Sequence, residues 1–439
     1  MSSLFQLPTS DTIPDPSAAT DRITLEEVSP RSSSLDGAIT LEFTSSPQRW
    51  WSPADSYMLI GFNLHKSNNA ANAWEAIDYD GATPYVGASL ALNAGSCVFS
   101  QMTLSINGVL MGTLANPAQV SGLVSRTELS KEYCETVGSV EGLNPTASGR
   151  ASDFFAIKTT ADLADRTAFE IVYKPPLGFL RTMKAYPGVR VTLTCTVSPD
   201  YPSRMLTGIA AGHAHTIVAS NLAAPVANTD YRLALTSVKY FAGMMSPLNN
   251  PVIPQQTLLP MFEVASSAQQ LPSGLVANSL QTMSFTVPSS TFKIAVAIGP
   301  ADAGTGSATR GKEITHFRAD VVNSLSVAYA GFQSPNLAYN GARDQPERSF
   351  TDFTMSCLAS QSGKSTHDSI QSWHNSPIFL MRFAKPASDI STNATVRLSL
   401  SSGLGTAVNV YCFAYFQSTA QLSYDSSGMC NGAEYAYAS

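Results

Sequence analysis

Residues 101–109 read QMTLSINGV, and residues 324–332 read SLSVAYAGF. In both stretches apolar and polar residues alternate up to a glycine, and an apolar residue follows it. Such alternation is typical of a β-strand with one buried face. Asn107-Gly108 favours a type I′ turn, because both central residues of that turn need a positive φ. The first stretch therefore predicts a β-hairpin, and the second stretch resembles it.

Two further pairs of segments resemble each other and occur in the same order along the chain. Residues 169–175 (FEIVYKP) resemble residues 380–386 (LMRFAKP), and residues 189–193 (VRVTL) resemble residues 408–412 (VNVYC). The spacing within the three pairs is similar, as expected for a duplicated unit. The repeat therefore predicts two copies of one β-rich domain.

The repeat and the local composition predict where the two domains lie. Residues 1–35 are rich in Ser, Pro, Thr and Asp, which predicts an N-terminal arm. The uncharged stretch at residues 221–228 is typical of a linker, and alternation resumes at Asp230. We therefore expect a first domain over residues 36–222 and a second over residues 229–439, the second with a C-terminal tail.

The chain after the arm has the pattern of an all-β protein. Short alternating runs recur, Pro and Gly separate most of them, and helix-like periodicity is scarce. A β-sandwich or barrel often takes roughly 200–250 residues, so a chain of 439 residues fits two of them. We therefore predict two tandem eight-stranded jelly-roll sandwiches, with little helix outside the loops.

The chain carries little charge, and its balance is acidic. Charged residues make up 13% of the sequence, where about a quarter is usual, and the net charge is −6. The first 30 residues contain five acidic residues and one basic residue. We therefore expect no sequence-specific binding to nucleic acid, since proteins that grip phosphate backbones are rich in Lys and Arg. So low a charge indicates instead a surface that other protein covers.

The cysteines and the apolar runs limit the class of protein further. The six cysteines are scattered, which predicts buried free thiols rather than a disulfide framework. No apolar run approaches the roughly 18 residues of a membrane helix, so we expect no transmembrane segment. The start of the chain lacks the basic and apolar regions of a signal peptide, so we expect none.

Four short motifs suggest chemistry, and each has a simpler interpretation. They are residues 363–366 (GKST), the pair His213 and His215, the group His367, Asp368 and His374, and the pair Trp50 and Trp51. A phosphate-binding loop would need a glycine at position 358, where this chain has Leu. The histidine pair lacks a third ligand nearby. The histidine–aspartate group carries little weight without geometry, because Ser, His and Asp are common in this chain. The tryptophans fit a packing anchor at a strand edge, so we predict no catalytic site, no metal site and no cofactor.

Four segments of the second half carry a resemblance to a known family. They are FKIAVAI at residues 292–298, NSLSVAYAG at 323–331, SPIFL at 376–380 and VNVYCFAYF at 408–416. They resemble the closing strands of the major capsid proteins of polinton-like viruses and virophages, relatives of the adenovirus and giant-virus capsid lineage. In the first half, residues 99–109 have a similar pattern.

The resemblance implies a double jelly roll with a structural function. In that family three copies form a trimer of hexagonal outline, and these capsomers tile an icosahedral shell around double-stranded DNA. The resemblance thus implies a non-enzymatic subunit of the virion capsid, assembled inside the host cell. Its implied partners are further copies of itself, neighbouring capsomers, and penton and minor capsid proteins.

The sequence is also compatible with three other functions. A minor capsid or penton protein usually needs one jelly roll, so the repeat argues against it. A carbohydrate-binding β-sandwich adhesin is disfavoured by the low charge and by the start of the chain. An enzyme on a β-scaffold would need convergent reactive residues, which the sequence does not indicate.

Two long stretches of the sequence contain almost no charge. Residues 81–125 contain none, and residues 241–292 contain only Glu263. Interfaces are depleted of charge, so we expect both stretches to lie partly between subunits. The interface residues we expect, at the start of a loop, are Phe241, Met244 and Met245. A charge at Met244 should then block trimer assembly and leave each jelly roll folded.

Overall fold

The computed structural model describes most of the chain between residues 23 and 437. The described residues are 23–32, 34–68, 73–76, 89–144, 168–207, 216–218, 230–247, 253–301, 317–318, 322–340, 346–357, 364, 368–383 and 392–437. Strands dominate this part of the chain. Its helices are short: Ala94–Cys97 (α1), Pro117–Glu128 (α2), Lys131–Glu135 (α3), Tyr201–Met205 (α4), Glu347–Ser356 (α5) and Ile370–Asn375 (α6), with 3-10 turns at Val137–Glu141 and Phe179–Arg181.

The first domain, called roll 1 below, is a sandwich of two sheets. Its strands are Ile23–Val28 (β1), Ala38–Thr44 (β2), Trp50–Asn68 (β3), Ala73–Ala76 (β4), Ser89–Leu90 (β5), Phe99–Ile106 (β6), Val109–Ala115 (β7), Ala168–Tyr173 (β8), Arg190–Val197 (β9), Leu206–Thr207 (β10), Thr216–Val218 (β11) and Asp230–Met245 (β12). One sheet has the order β1-β12-β3-β8, and the other has the order β2-β9-β6-β7. The short strands add to this frame: β4 pairs with β3, β11 with β12, and β5 with β10.

The second domain, roll 2, is built in the same way. Its strands are Gln256–Leu271 (β13), Leu280–Thr286 (β14), Thr291–Pro300 (β15), Val322–Tyr329 (β16), Phe332–Asn340 (β17), Phe379–Arg382 (β18), Asn393–Leu400 (β19), Val408–Tyr424 (β20) and Cys430–Tyr437 (β21). The orders of its sheets are β13-β20-β15-β18 and β14-β19-β16-β17, and β21 pairs with the far half of β20.

The two domains share one strand order. If the eight main strands of each domain are counted along the chain, both domains have sheets in the order 1-8-3-6 and 2-7-4-5. All pairs in these four sheets are antiparallel, except that the added strand β11 runs parallel to β12. This is the jelly-roll topology, in which two Greek keys close one sandwich. The predicted fold class, two tandem eight-stranded jelly rolls, is confirmed.

The strand pairing departs from the expected domain limits at two places. Asp230–Met245 was expected to open the second domain (229–439), but it pairs with β1 and β3 and is the eighth strand of roll 1. Ile23–Val28 was assigned to the arm (1–35), but it is the first strand of roll 1. Alternation indicates that a strand has one buried face, but it does not indicate which sheet the strand joins.

The sequence repeat matches the architecture in two of its three pairs. Residues 101–109 and 324–332 both span the hairpin between strands four and five, and residues 169–175 and 380–386 both contain strand six. The third pair is wrong, because residues 189–193 lead into strand seven of roll 1 and residues 408–412 begin strand eight of roll 2. Alternating strands look alike, so similarity alone could not separate these neighbours.

The hairpin turns of the two rolls have the same backbone conformation. Asn107 and Gly108 have φ of 51° and 83°, and Ala330 and Gly331 have φ of 52° and 82°. Both turns therefore have the type I′ geometry that was predicted at Asn107-Gly108. Alanine is poorly suited to its position, because a left-handed conformation brings Cβ close to the following carbonyl oxygen.

Replacing Ala330 by glycine is expected to stabilise the protein. The glycine relieves the left-handed strain at φ 52°, and we expect a gain of about 0.5–1 kcal/mol in unfolding free energy. Urea unfolding followed by circular dichroism measures it. The matched control is Ala338→Gly in strand β17, which should destabilise, since glycine weakens a strand interior. Equal effects at both positions would contradict the strain argument.

The core of the molecule is continuous across the two rolls. One connected cluster of buried apolar side chains includes Ile60 and Leu193 of roll 1 together with Val296 and Leu398 of roll 2. All six cysteines are buried free thiols, as predicted. Within the described residues, no helix is long and apolar enough to cross a membrane. The two domains thus fold against each other and share their core.

Candidate assembly interfaces

Helix α2 lies between the two rolls. It follows β7 directly, since Asn116 turns the chain with a φ of 50° and Pro117 fits the first helical position. Residues 117–127 are all buried. Gln119 Nε2 donates a hydrogen bond to the Tyr411 hydroxyl (3.4 Å), and Thr127 Oγ1 lies 2.9 Å from the Tyr415 hydroxyl. Helix α2 of roll 1 therefore runs along strand β20 of roll 2.

The helix and strand match in length. Eight residues separate Gln119 from Thr127, a rise of about 12 Å in a helix. Four residues separate Tyr411 from Tyr415, a rise of about 13 Å in a strand. Because the two spacings agree, both hydroxyl contacts can form at once along one strand.

A buried ion pair joins the rolls at the end of α2. Arg126 Nε donates to Asp368 Oδ2 at 2.8 Å, and the two side chains are 4% and 3% exposed. The remaining guanidinium nitrogens donate to Ser376, with Nη2 2.6 Å from its carbonyl oxygen and Nη1 3.2 Å from its hydroxyl. The Ser372 hydroxyl donates to Asp368 Oδ1 at 2.7 Å. Roll 1 thus supplies the cation, and roll 2 supplies its carboxylate and its other acceptors.

A second buried carboxylate lies at the contact between the rolls. Glu263 of β13 is 6% exposed, and its Oε1 accepts hydrogen bonds from Ser418 (2.9 Å) and Tyr435 (3.1 Å). A Cβ at Gly178 would lie 2.6 Å from Glu263 Cγ, and one at Gly112 would lie 3.5 Å from Glu263 Oε2. Glycines in roll 1 therefore allow the backbone to pack on this side chain. Burial raises the pKa of Glu263, and the two donated hydrogen bonds oppose the rise.

The raised pKa of Glu263 predicts a dependence of stability on pH. The folded chain holds this proton more tightly than the unfolded chain does, so stability falls as pH rises above the ordinary glutamate value of 4.5. Glu263→Gln stays neutral and should escape this loss. We expect the unfolding free energy of the variant to increase relative to that of the wild type as pH rises. Below pH 4.5 the difference between the two should stop changing with pH. Unfolding free energies measured across this range check it, and a constant difference at every pH would contradict it.

The uncharged stretch over residues 81–125 has an explanation within the chain. We expected it to lie partly between subunits, but its described part, residues 89–125, contains β6, β7 and most of α2. Helix α2 is buried against the other roll of the same chain. The contact that excludes charge here is therefore between domains.

The three predicted interface residues lie inside a strand, and not at the start of a loop. Phe241, Met244 and Met245 lie near the C-terminal end of β12, where this strand pairs with β1 and β3. Met244 and Met245 are each 2% exposed within the single chain, the first in the main core and the second against Trp50 and Ala185. A charge at Met244 would therefore disrupt roll 1 itself. The expectation that such a variant loses the trimer and keeps each jelly roll folded is corrected.

Phe241 differs from its two neighbours. Its side chain is half-buried and stacks on Tyr57, with ring centroids 5.2 Å apart. Tyr240, the preceding residue, points into the core and is 2% exposed. Phe241 thus lies on the outer face of the sheet, and its place in a subunit interface stays a prediction.

Among the motifs that suggested chemistry, Trp51 and Asp368 lie in the described part of the chain and have structural roles there. Trp51 is fully buried, stacks on Phe179 (5.8 Å) and donates its indole N–H to Ser56, which confirms the packing anchor. Asp368 is the ion-pair partner of Arg126. Within the described residues, no group of three or more potential metal ligands occurs. The described residues do not include His213, His215 and His367. Of residues 363–366 they include only Lys364, which is exposed.

Sequence reasoning did not identify the residues that join the rolls. Arg126 is the first charge after the uncharged stretch, and Glu263 is the single charge in the next one. A charge isolated in a long neutral segment is a usable signal, because a buried charge needs a dedicated partner. The partner of Arg126 lies 242 residues away, which no local pattern could reveal.

The fold of the chain is also found in solved structures of viral proteins. Two jelly rolls in one chain form a double jelly roll, and solved structures with this fold align with nearly the whole chain. A chain of the Sputnik virophage, determined by cryo-EM, covers 96% of this chain and aligns over 90% of its own length, with a TM-score of 0.62 and 12% identity.

Two further solved structures agree with this comparison. The mavirus major capsid protein covers 99% of this chain and aligns over 94% of its own length, with a TM-score of 0.57 and 9% identity. A chain of the PBCV-1 virus capsid covers 95% of this chain and aligns over 97% of its own, with a TM-score of 0.55 and 11% identity. No family model and no curated protein matches the sequence. The likeness therefore lies in the fold, which is the double jelly roll of viral capsid proteins.

Proposed function

We propose that the chain is the major capsid protein of an icosahedral virus with a double-stranded DNA genome, and that it has no enzymatic activity. The observation that carries the proposal is the fixed union of two jelly rolls in one chain. Helix α2 and the Arg126–Asp368 pair hold the rolls as one body. A subunit whose two domains share one topology can present similar sides to several neighbours.

Symmetry supports a trimer as the working unit. Most soluble oligomers of one chain close with point symmetry. Three copies of a two-roll subunit place six similar domains around one axis, which gives the near-hexagonal outline that tiling requires. The partners of such a capsomer are neighbouring capsomers, with penton and minor capsid proteins, and its location is the virion capsid. The net charge of −6 fits a shell that does not grip its genome.

Electron microscopy and mass measurement of the purified protein test this proposal together. We expect particles of hexagonal outline whose mass is that of three chains of 46.6 kDa each. Shells assembled from such particles would support it further. A stable 46.6 kDa monomer at high concentration would overturn the trimer, and so would a dimer.

A further inference from the structure

Strand β21 lies against both rolls. It continues a sheet of roll 2 beyond the eight main strands, and among the described strands it pairs with β20 alone. Its first residue also contacts roll 1. Cys430 N donates to the Gly188 carbonyl oxygen (3.0 Å), and Asn107 Nδ2 donates to the Cys430 carbonyl oxygen (2.8 Å). Strand β21 therefore lies across the contact between the rolls.

Glu263 is enclosed by this strand, by β20 and by roll 1. The carboxyl oxygen Oε1 accepts hydrogen bonds from Tyr435 of β21 and from Ser418 of β20. Roll 1 packs on the same side chain with Gly112 and Gly178, which bring backbone and no polar side chain. Only 6% of Glu263 is exposed. An ionised carboxylate in this position has lost most of its water, which is costly for a charged group.

The surroundings of Glu263 supply no compensating charge. Within the described part of the chain no cation pairs with this carboxyl, and the hydroxyls that bond to it are neutral. The titratable groups on the same face of β20 and β21 are Tyr424, Cys430 and Tyr435, and Tyr186 of roll 1 lies near Tyr424. Tyrosines and cysteines ordinarily titrate above about pH 8. Burial raises the pKa of Tyr424, Cys430 and Tyr186 further, so Glu263 is the group here that changes charge at lower pH.

Of the elements around Glu263, β21 is held by the fewest contacts. Roll 1 is fixed to roll 2 by α2, by the Arg126–Asp368 pair and by the shared core. Strand β21 is held by one neighbouring strand, over residues 418–424, and three of its residues are exposed: Asn431, Glu434 and Ala436. Elements with few buried contacts open at the lowest free energy. Water therefore reaches Glu263 most easily when β21 lifts away.

We propose that β21 is a pH-sensitive switch, closed over Glu263 while this carboxyl is protonated and released from β20 and roll 1 when the carboxyl ionises. Release hydrates the carboxylate and exposes the contact between the rolls at this point. The rolls themselves stay joined through α2. The switch is a property of the single chain, so it does not depend on the proposed function.

The direction of the pH effect follows from the burial of Glu263. Burial raises the pKa of this carboxyl in the closed state, and in the open state the pKa returns towards the ordinary value of 4.5. Below pH 4.5 the closed state therefore keeps its full advantage. Above that pH the ratio of closed to open chains falls about tenfold per pH unit, until the pH passes the pKa of the closed state.

Hydrogen–deuterium exchange of the full chain, followed by mass spectrometry, tests the switch. We expect the protection of the β21 amides, corrected for the intrinsic exchange rate, to fall about tenfold per pH unit above 4.5 and then to level off. Amides of α2, and of β19 in the other sheet of roll 2, should keep constant protection, because the rolls stay joined.

Two glutamine variants separate the switch from a general effect of pH. In Glu263→Gln the side chain cannot ionise, so the protection of β21 should not change with pH. The matched control is Glu141→Gln. Glu141 is also buried (8% exposed), and burial raises its pKa, but it lies in the 3-10 turn of roll 1 and accepts its hydrogen bond from Tyr133. This control should keep the wild-type response of β21.

Three results would overturn the switch. The first is constant protection of β21 in the wild type across this pH range. The second is an equal fall in the wild type and in Glu263→Gln, since the fall would then have another source. The third is a parallel fall in α2, which would show that the rolls separate as a whole and that β21 does not open by itself.

Discussion

Arg126→Met is expected to lower the free energy of unfolding by about 3–5 kcal/mol, the usual result when a buried ion pair loses one partner. The variant removes the guanidinium and leaves the carboxylate of Asp368, which is 3% exposed, without its cation. The carbonyl oxygen of Ser376 loses its donor as well. Urea unfolding measures the loss, and limited proteolysis should show that the contact between the rolls has loosened.

An exposed ion pair supplies the control for this prediction. Lys131 and Glu135 are 51% and 45% exposed and lie one helical turn apart. Lys131→Met should change stability by no more than about 0.5 kcal/mol, since water screens such pairs. Adding Asp368→Leu to Arg126→Met should recover much of the loss, because an apolar pair needs no compensating charge. An Arg126→Met variant no less stable than Lys131→Met would show that the buried pair does not hold the rolls.

Gly188→Ala is expected to destabilise the protein by about 3 kcal/mol, from left-handed strain and overpacking together. Gly188 has a φ of +55°, and a Cβ there would lie 2.6 Å from Met429 Cα and 2.7 Å from the Gly428 carbonyl oxygen. Both clashing atoms are backbone, so neither can move aside cheaply. The Gly188 carbonyl oxygen also accepts a hydrogen bond from Cys430 N at 3.0 Å, which the displaced loop would strain. The substitution thus acts on the contact between the rolls.

The control for Gly188→Ala separates strain from crowding. Gly37 has a φ of +84°, and no atom lies within 4 Å of a Cβ built there. Gly37→Ala should therefore cost only the left-handed strain, about 1 kcal/mol. Thermal and urea unfolding of the two variants measure the difference. Equal losses would mean that the turn before β9 adapts and that the rolls do not press on Gly188.

The fold could be predicted from sequence as far as local patterns carry information. The hairpin at Asn107-Gly108 and its counterpart at Ala330-Gly331 correctly indicated equivalent strands, because turn residues and alternation are both local signals. The assignment of β12 to the second domain was wrong because it depends on contacts that are distant in sequence. The alternation of β12 was recognised, but its partners in β3 lie 165–195 residues earlier in the chain, and its partners in β1 lie 212–222 residues earlier. Register and sheet membership are decided by such distant pairing.

The interface was predicted less well than the fold, for a related reason. A neutral stretch and a cluster of methionines indicate burial, and burial was found at Met244 and in α2. Composition cannot tell burial against another domain from burial against another subunit, since both exclude charge. Phe241 and Met244 point to opposite faces of the sheet, and the direction of a side chain depends on strand register.

The position of β12 in its sheet constrains the order of events during synthesis. Strand β1 bonds to β12, and β12 lies between β1 and β3. A nascent chain that has emerged only to residue 222 therefore holds both flanking strands without the strand that belongs between them. Roll 1 can close only after residue 245 has left the ribosome, when the ribosome has already begun to add the first strand of roll 2. Unpaired edges exposed in that interval are sites of aggregation, so chaperone demand should peak midway through translation.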